Sequence, residues 1–437
     1  MSAEIRLMRT PAEQALSAAL EQVPSAPGRL NELRRSAARS FNEQGLPHRR
    51  VEEWKYTDLR TLMREAVPVA GPAGVAEAEA AARLLAGALV RRIVVANGAV
   101  VPELSDFSEL EEGLSLLPLA AAVAAGDERL SRLGGLVPAR YDAALALNTA
   151  LAGDGVLVHV APGATLARPI HIAHVAVGQG PAASYARSLV VVGEGARATV
   201  VETFESVTGQ ADQVNSATEF YVGDHAHLDV VRIQALGPAA VSLTTLLFEV
   251  GREAQLHDFA FTSGAAVART SLYANLVGEA SQVAFNGAVL LKGRQHADST
   301  LFVDHQVPGC ESRELFKHVL DDSSRGVFQG KIVVRQAAQK TDGRMMSRAL
   351  VLGDDAEMDN KPELEIFADD VQCGHGATCG AIDDDLLFYL QARGVPLKEA
   401  QSLLVQAFVG EAIETVEHDG LRDALIEQAE AWLKARG

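Results

Sequence analysis

Four stretches of this chain share one pattern: Val192-Gly193-x-x-Ala196, Val222-Gly223-x-x-Ala226, Val250-Gly251-x-x-Ala254 and Val277-Gly278-x-x-Ser281. They begin 30, 28 and 27 residues apart, and each follows one β-branched or aromatic run and precedes another. Strand, glycine turn and strand at a nearly fixed period is the signature of a solenoid, in which every unit buries one face against its neighbours. A parallel β-helix is the natural form, because alternation along a strand stacks Val, Leu, Ile and Phe inward while glycine serves the corners. The composition suits such an interior: 48% of residues are hydrophobic but only 5% aromatic, so the filling is aliphatic and narrow. A β-sandwich is the competing architecture. It calls for hairpin turns at short intervals, and Asn-Gly occurs only at Asn97-Gly98 and Asn286-Gly287.

With 437 residues the chain exceeds what one core usually supports, and helical periodicity flanks the repeats on both sides. Ala15, Leu16, Ala19, Leu20 and Val23, then Leu30, Leu33, Ala37 and Phe41 after a break at Pro24 to Gly28, predict helix across residues 11 to about 85. Within that region Trp54 and Tyr56 lie among charged groups, a composition suited to an anchor at a half-wet seam. Strand signals start at Arg92, an Ala-rich piece ending at Ala125 reads as helix, and alternation then dominates to about Val371. Beyond Asp383 come a short helix over Leu386, Leu387 and Leu390 and two longer ones. The first of these carries Leu403, Leu404, Ala407, Phe408 and Ala412 on one stripe. The expected division is therefore a helical region over 1–90, a connecting segment over 91–140, a β-helix core over 141–375 and a helical domain over 376–437. The fold class is mainly β.

Several function classes are excluded. A net charge of −18 opposes non-specific nucleic-acid binding, which relies on Lys and Arg neutralising phosphates. The longest apolar run, Leu114 to Ala125, is broken by Pro118 and falls short of the ~20 residues that span a bilayer. Glu4 and Glu13 near the start fit neither a secretory signal nor an acid-poor transit peptide, and three cysteines are too few for a disulfide scaffold. The expectation is a cytoplasmic protein with reduced thiols. Gly326-x-x-x-Gly330-Lys331-Ile332 is one residue short of a phosphate-binding loop and puts Ile332 where a hydroxyl is required. Gly193-x-Gly195-x-x-Ala198 is followed by strand, so no helix N-terminus awaits a pyrophosphate.

The richest chemistry is at Cys373, His375 and Cys379, packed into seven residues behind Asp369 and Asp370 and ahead of Asp383, Asp384 and Asp385. Thiolate, imidazole and carboxylate are the ligands of borderline and soft metals, here in what reads as a glycine-punctuated loop. Structural metal sites want four ligands and this stretch offers at most three good ones, so any site needs completion from elsewhere. The competing reading makes the cysteines small buried hydrophobes and the acids helix caps. His225 and His227, two apart, form a second candidate pair if they share a strand face.

SRGVFQGKIVV (Ser324 to Val334), AQKTDG (Ala338 to Gly343), KPELEIFADDV (Lys361 to Val371), CGHGAT (Cys373 to Thr378) and LFYLQARG (Leu387 to Gly394) together resemble the signature of the SufB/SufD family of iron–sulfur cluster assembly proteins. Arg49-x-x-Glu52-x-Trp54-Lys55-Tyr56-Thr57 resembles an N-terminal motif of its SufD branch, and the Cys-x-His-Gly-Ala-Thr order is that branch's form. The resemblance implies a right-handed β-helix between helical ends, a non-catalytic scaffold that pairs with a SufB-like subunit, and C-terminal helices that bind a SufC-like ATPase, here around Leu404 and Phe408. It implies that His375 and, less firmly, Cys373 act at the junction where a nascent iron–sulfur cluster, or iron, is held transiently with the SufB-like subunit. No cofactor held tightly by the chain alone is expected. Cys379 lies outside the shared pattern, Cys379 and Asp370 are doubtful additions to the site, and a homodimer is the alternative when the chain is alone. Two other readings stay open: a purely structural adaptor for the ATPase, and a stand-alone metal-dependent β-helix enzyme using Cys373, His375 and Asp370.

Overall fold

The computed structural model describes residues 9–23, 25, 28–138, 141–207 and 209–436. Two long sheets form the body. One runs from Arg91–Ala96 through Ile170–Ala176, Arg197–Ser206, His227–Ala235, Gln255–Thr262, Gln282–Leu291, Glu311–Leu320 and Asp342–Val351 to Gln372–Gly380. The other runs from Val156–Val160 through Ala183–Val192, Gln213–Val222, Val241–Val250, Val267–Leu276, His296–His305 and Arg325–Val334 to Glu357–Ile366. Successive strands alternate between the sheets and pair in parallel with the strand one turn away, which makes a parallel β-solenoid of about eight turns. Among the described residues only Ala99–Val100 and Leu114–Pro118, at the starting end, pair antiparallel. Asn97 and Gly98, both with positive φ, make the hairpin into the first of these, whereas Asn286-Gly287 lies within a strand.

The register explains the repeat and extends it. Val192, Val222, Val250, Leu276, His305, Val334 and Ile366 occupy one core-facing column. In the fourth unit Leu276, not Val277, therefore holds the repeat position, and Val277 is pushed outward to 40% exposure. The corner glycines are demanded by close approach. A Cβ on Gly193 would lie 2.6 Å from the Pro162 nitrogen, and one on Gly278 only 1.8 Å from the Arg252 nitrogen. Ala196, Ala226, Ala254, Ser281 and Cys310, all buried, follow these corners in successive turns. Cys310 is thus a corner-filling residue, 3.2 Å from the Ser281 hydroxyl.

Helix is sparser at the start than the periodicity suggests. Pro11–Glu21 and Gly28–Gln44 are full helices, but only Leu59–Leu62 and Val75–Ala81 follow, because Pro47, Pro68, Gly71 and Pro72 interrupt the backbone. The expected break at Pro24 to Gly28 falls largely outside the described residues. Trp54 is buried at 1% exposure beneath the Arg269 guanidinium, 3.9 Å from its ring, and Arg269 pairs with the buried Asp298, which also accepts from the Thr57 hydroxyl. The motif fastens the N-terminal region to the solenoid flank.

At the other end Asp384–Gln391, Leu397–Ile413 and Asp419–Arg436 are helical. Val405, Val409, Ala412 and Ile413 pack on the outer face of the first sheet, over Ala288, Leu290 and Val319 of the Gln282–Leu291 and Glu311–Leu320 strands. This corrects the expected stripe. Leu403 is 44% exposed, and Leu404 and Phe408 are half-buried. The helix is apolar on adjoining stripes, so its periodicity does not fix the roll and the sheet selects the β-branched side. Among the described residues no helix is long and apolar enough to cross a membrane.

Candidate functional site

The solenoid ends on two strands that each have a neighbour on one side only, Glu357–Ile366 beside Arg325–Val334 and Gln372–Gly380 beside Asp342–Val351. Cys373, His375 and Cys379 all lie in the second of these. The expected loop is a strand, and the solenoid runs to Gly380 rather than stopping near Val371. Its composition gives little strand propensity; the ladder offered by Asp342–Val351 overrides it.

Strand geometry decides which of these residues can cooperate. In-register residues of parallel strands share a face, so His375 lies over Met345, Glu314 and Phe285, and Cys373 over Gly343, Ser312 and Val283. Those columns face the interior, as the buried Phe285 and Met345 show, and Cys373 packs at the edge of the same core. Cys373 and His375 are therefore neighbours on one face, about 7 Å apart along the strand. Cys379 is six residues from Cys373, about 20 Å along an extended chain, and cannot share a small site with it. Asp370 is spent on an ion pair with Lys340 in the preceding corner. Among the described residues no third His, Cys, Asp or Glu comes within joint ligating reach of Cys373 and His375. The three-ligand enzyme site of Cys373, His375 and Asp370 does not form.

The local electrostatics keep Cys373 passive in the lone chain. Burial pushes its thiol up; the Gly343 amide pulls it back, but the nearby Asp342 and Glu314 add to the rise. A thiol so held is a poor nucleophile and a ligand only when an incoming cation displaces its proton. Glu314, which no sequence signal singled out, is more perturbed. It is 3% exposed, and burial pushes its carboxyl up to about 8, against weaker opposing pulls from Ser312 and Arg313. A hollow of about 600 Å³ opens at this end, lined by Cys373 and His375 together with Met346 and the arginines Arg313, Arg344 and Arg348. These arginines are paired with Asp342 and Glu411, so the rim carries ion pairs rather than a net cationic field.

Residues 174–408 match the family described as SUF system FeS cluster assembly, SufBD core domain, and residues 19–172 match the SufBD protein N-terminal region. The iron–sulfur cluster assembly protein SufD of Escherichia coli is 32% identical over 387 residues, 87% of this chain and 88% of its own. An iron–sulfur cluster assembly SufBD family protein of Synechocystis is 32% identical over 394 residues, 88% of this chain and 86% of its own. SufD of Bacillus subtilis is 26% identical over 294 residues, 66% of each chain. The chain belongs to the SufBD family of iron–sulfur cluster assembly proteins. Its SufBD core match spans the solenoid from the Ile170–Ala176 strand onward and reaches into the Leu397–Ile413 helix, so the terminal strand and the Asp384–Gln391 helix fall within one family match, whereas the Asp419–Arg436 helix lies beyond it.

The structure also relocates two sequence candidates. His225 sits at a corner with φ of 58° and turns toward Glu253, before the strand begins at His227, so the two histidines do not share a face. Exposed apolar surface in the C-terminal helices centres on Leu386, Phe388, Tyr389 and Leu403 rather than on Leu404 and Phe408; the Phe408 ring lies 4.3 Å from the Lys317 ammonium of the solenoid itself.

Proposed function

We propose that this chain is a SufD-like scaffold subunit that pairs through the open end of its solenoid with a SufB-like subunit, holds a SufC-like ATPase on its C-terminal helices, and presents His375 and Cys373 to a nascent iron–sulfur cluster at the junction. The observation that carries this is the incomplete ligand pair on an uncapped terminal strand. An unpaired strand edge is a pairing template that a stable protein covers, and a partner covering it supplies the missing ligands at the same time. The apolar Ile366 and Phe367 at the rim, 41% and 58% exposed, favour burial by a protein surface. The cluster is cargo: this chain offers an imidazole and a thiol that loses its proton as iron binds, and the partner completes the set. Such chemistry needs reduced thiols, which supports a reducing, cytoplasmic setting.

For the ATPase, the exposed side of Asp384–Gln391 with Leu403 is the docking face. The connection from Gly380 to Asp383 is short, so a pull on that helix acts directly on the strand bearing His375. Reconstitution with the SufB and SufC counterparts under anaerobic iron, sulfide and ATP tests the assignment, with wild type compared with His375→Ala and complex formation followed by gel filtration. Loss of cluster absorbance from an intact complex is the expected result. Normal cluster formation would leave the chain a structural adaptor, and a stable homodimer that excludes the SufB counterpart would overturn the pairing.

A further inference from the structure

A second group of metal-binding side chains sits far from the open end, on the outer face of the first sheet. His227 and Asp229 alternate along one strand and Gln255 and His257 along the next, and the register sets His227 beside Gln255 and Asp229 beside His257. The turn between the two long C-terminal helices lowers Glu417 onto this square. His227 Nε2 lies 3.1 Å from Asp229 Oδ2, and His257 Nδ1 lies 3.3 Å from Asp229 Oδ1 and 3.8 Å from Glu417 Oε1. One ligand atom from each of the four residues falls within 4.8 Å of all the others. Ligands about 2.1 Å from a tetrahedral zinc are about 3.4 Å from one another, so the group is nearly the size a bound ion would give it.

Two further observations point to a ligand. A void of about 20 Å³, lined in part by Asp229, His257, Thr415 and Glu417, adjoins the group and has room for one water-sized occupant. The Gln255 side-chain oxygen lies 2.9 Å from His227 Nδ1, an outer partner that holds the ring with Nε2 turned toward Asp229. An outer partner that fixes the orientation of a histidine is how metal-ligating imidazoles are held, and a cation arriving here would take the place of the hydrogen between His227 Nε2 and Asp229.

We propose that His227, Asp229, His257 and Glu417 bind one divalent first-row transition-metal cation, which ties the turn between the C-terminal helices to the middle of the solenoid. Two imidazole nitrogens and two carboxylates suit zinc or ferrous iron; calcium and magnesium prefer all-oxygen sets of six or more, and no thiolate is present to favour soft ions. The site uses none of the residues assigned to cluster assembly. Its occupation would set how firmly the ATPase-bearing helices are held to the solenoid.

The test is titration of the full chain, stripped by chelator, with Zn²⁺ in a calorimeter and with Co²⁺ by visible absorption, which reports tetrahedral coordination. One equivalent should bind to wild type and equally to a Cys373→Ser, His375→Ala variant, which separates this site from the solenoid end. Binding should be lost in His227→Asn with His257→Asn. Gln255→Ala, a surface change outside the ligand set, should weaken it by about 10–100-fold, the usual effect of removing an outer-shell partner. Glu417→Gln, also at the surface, should weaken it at least as much and abolish metal-dependent protection of residues 414–418 from hydrogen exchange. Absence of stoichiometric binding to wild type, or binding unchanged in the Glu417 and Gln255 variants, would overturn the proposal.

Discussion

Glu314 is a carboxyl whose burial works against the fold, and replacing it with glutamine should reveal this as a pH dependence. Its ordinary value is near 4.5 and burial raises it to about 8. The sign follows directly. Below about 4.5 the group is neutral in both folded and unfolded chains and costs nothing through ionisation. As pH rises toward 8 the unfolded chain releases the proton and the folded chain keeps it, so stability falls by about 1.4 kcal/mol per pH unit. By pH 7 the loss approaches about 3 kcal/mol, and above 8 it levels off. Glu314→Gln keeps the shape and removes the titration. The buried amide brings its own packing and hydrogen-bonding cost of about 1–3 kcal/mol, but that cost does not vary with pH. The measurement is therefore the difference in urea midpoint between variant and wild type across pH 5 to 8, with the low-pH difference as baseline. The variant should gain steadily on wild type over that range. A difference that stays flat would refute the reasoning and mean that the carboxylate is ionised and solvated in the folded chain.

Three more predictions follow from burial and close contact. Trp54→Ala removes a fully buried ring and its contact with Arg269, and should cost about 3–5 kcal/mol; a loss below about 1 kcal/mol by denaturant unfolding would show that the N-terminal region is not anchored there. Gly278→Ala should destabilise by about 1–3 kcal/mol because its Cβ meets the Arg252 backbone, whereas Gly180→Ala, with open space around it, should leave the melting temperature unchanged. Leu386→Asp with Phe388→Asp, at positions 52% and 73% exposed, should leave stability within about 0.5 kcal/mol of wild type yet abolish co-purification with the SufC counterpart; retained co-purification would move the docking face elsewhere.

The solenoid was legible because its constraint is periodic. Wherever a corner needs glycine and the next residue must be small enough to stack, Val-Gly-x-x-Ala recurs. The pattern fades after Leu276 without any change in the fold, since His305 and Val334 hold the same column and different residues turn the later corners. The terminal strand was illegible for the opposite reason: Gln372–Gly380 has glycine at three of its nine positions and is extended only because a neighbouring ladder makes it so. A local reading sees a loop in such a stretch. The long C-terminal helix failed in a third way, its adjoining apolar stripes leaving the roll to be chosen by the strands beneath it, which bear Ala288, Leu290 and Val319.

The candidate site divides along the same line. Residue chemistry was enough to put Cys373 and His375 forward as candidates, and the strand sets them two apart on one face. Excluding Cys379 and Asp370 required the strand, which converts six residues into about 20 Å and places Asp370 in a corner beside Lys340. Glu314 lies 59 positions before Cys373 and 61 before His375, two turns back, and no spacing rule joins such residues until the register does. In a solenoid, function assembles along columns that cross the chain once per turn. The proposed ligand pair on the last strand is therefore backed by buried groups drawn from earlier turns, and a protonated Glu314 beneath Met345 and His375 would ionise most readily if a cation arrived at the open end. The destabilisation measured for Glu314 in the lone chain should accordingly shrink in the assembled complex loaded with iron. If Glu314→Gln stabilises the loaded complex as much as it stabilises the lone chain, the carboxyl plays no part in receiving the cation.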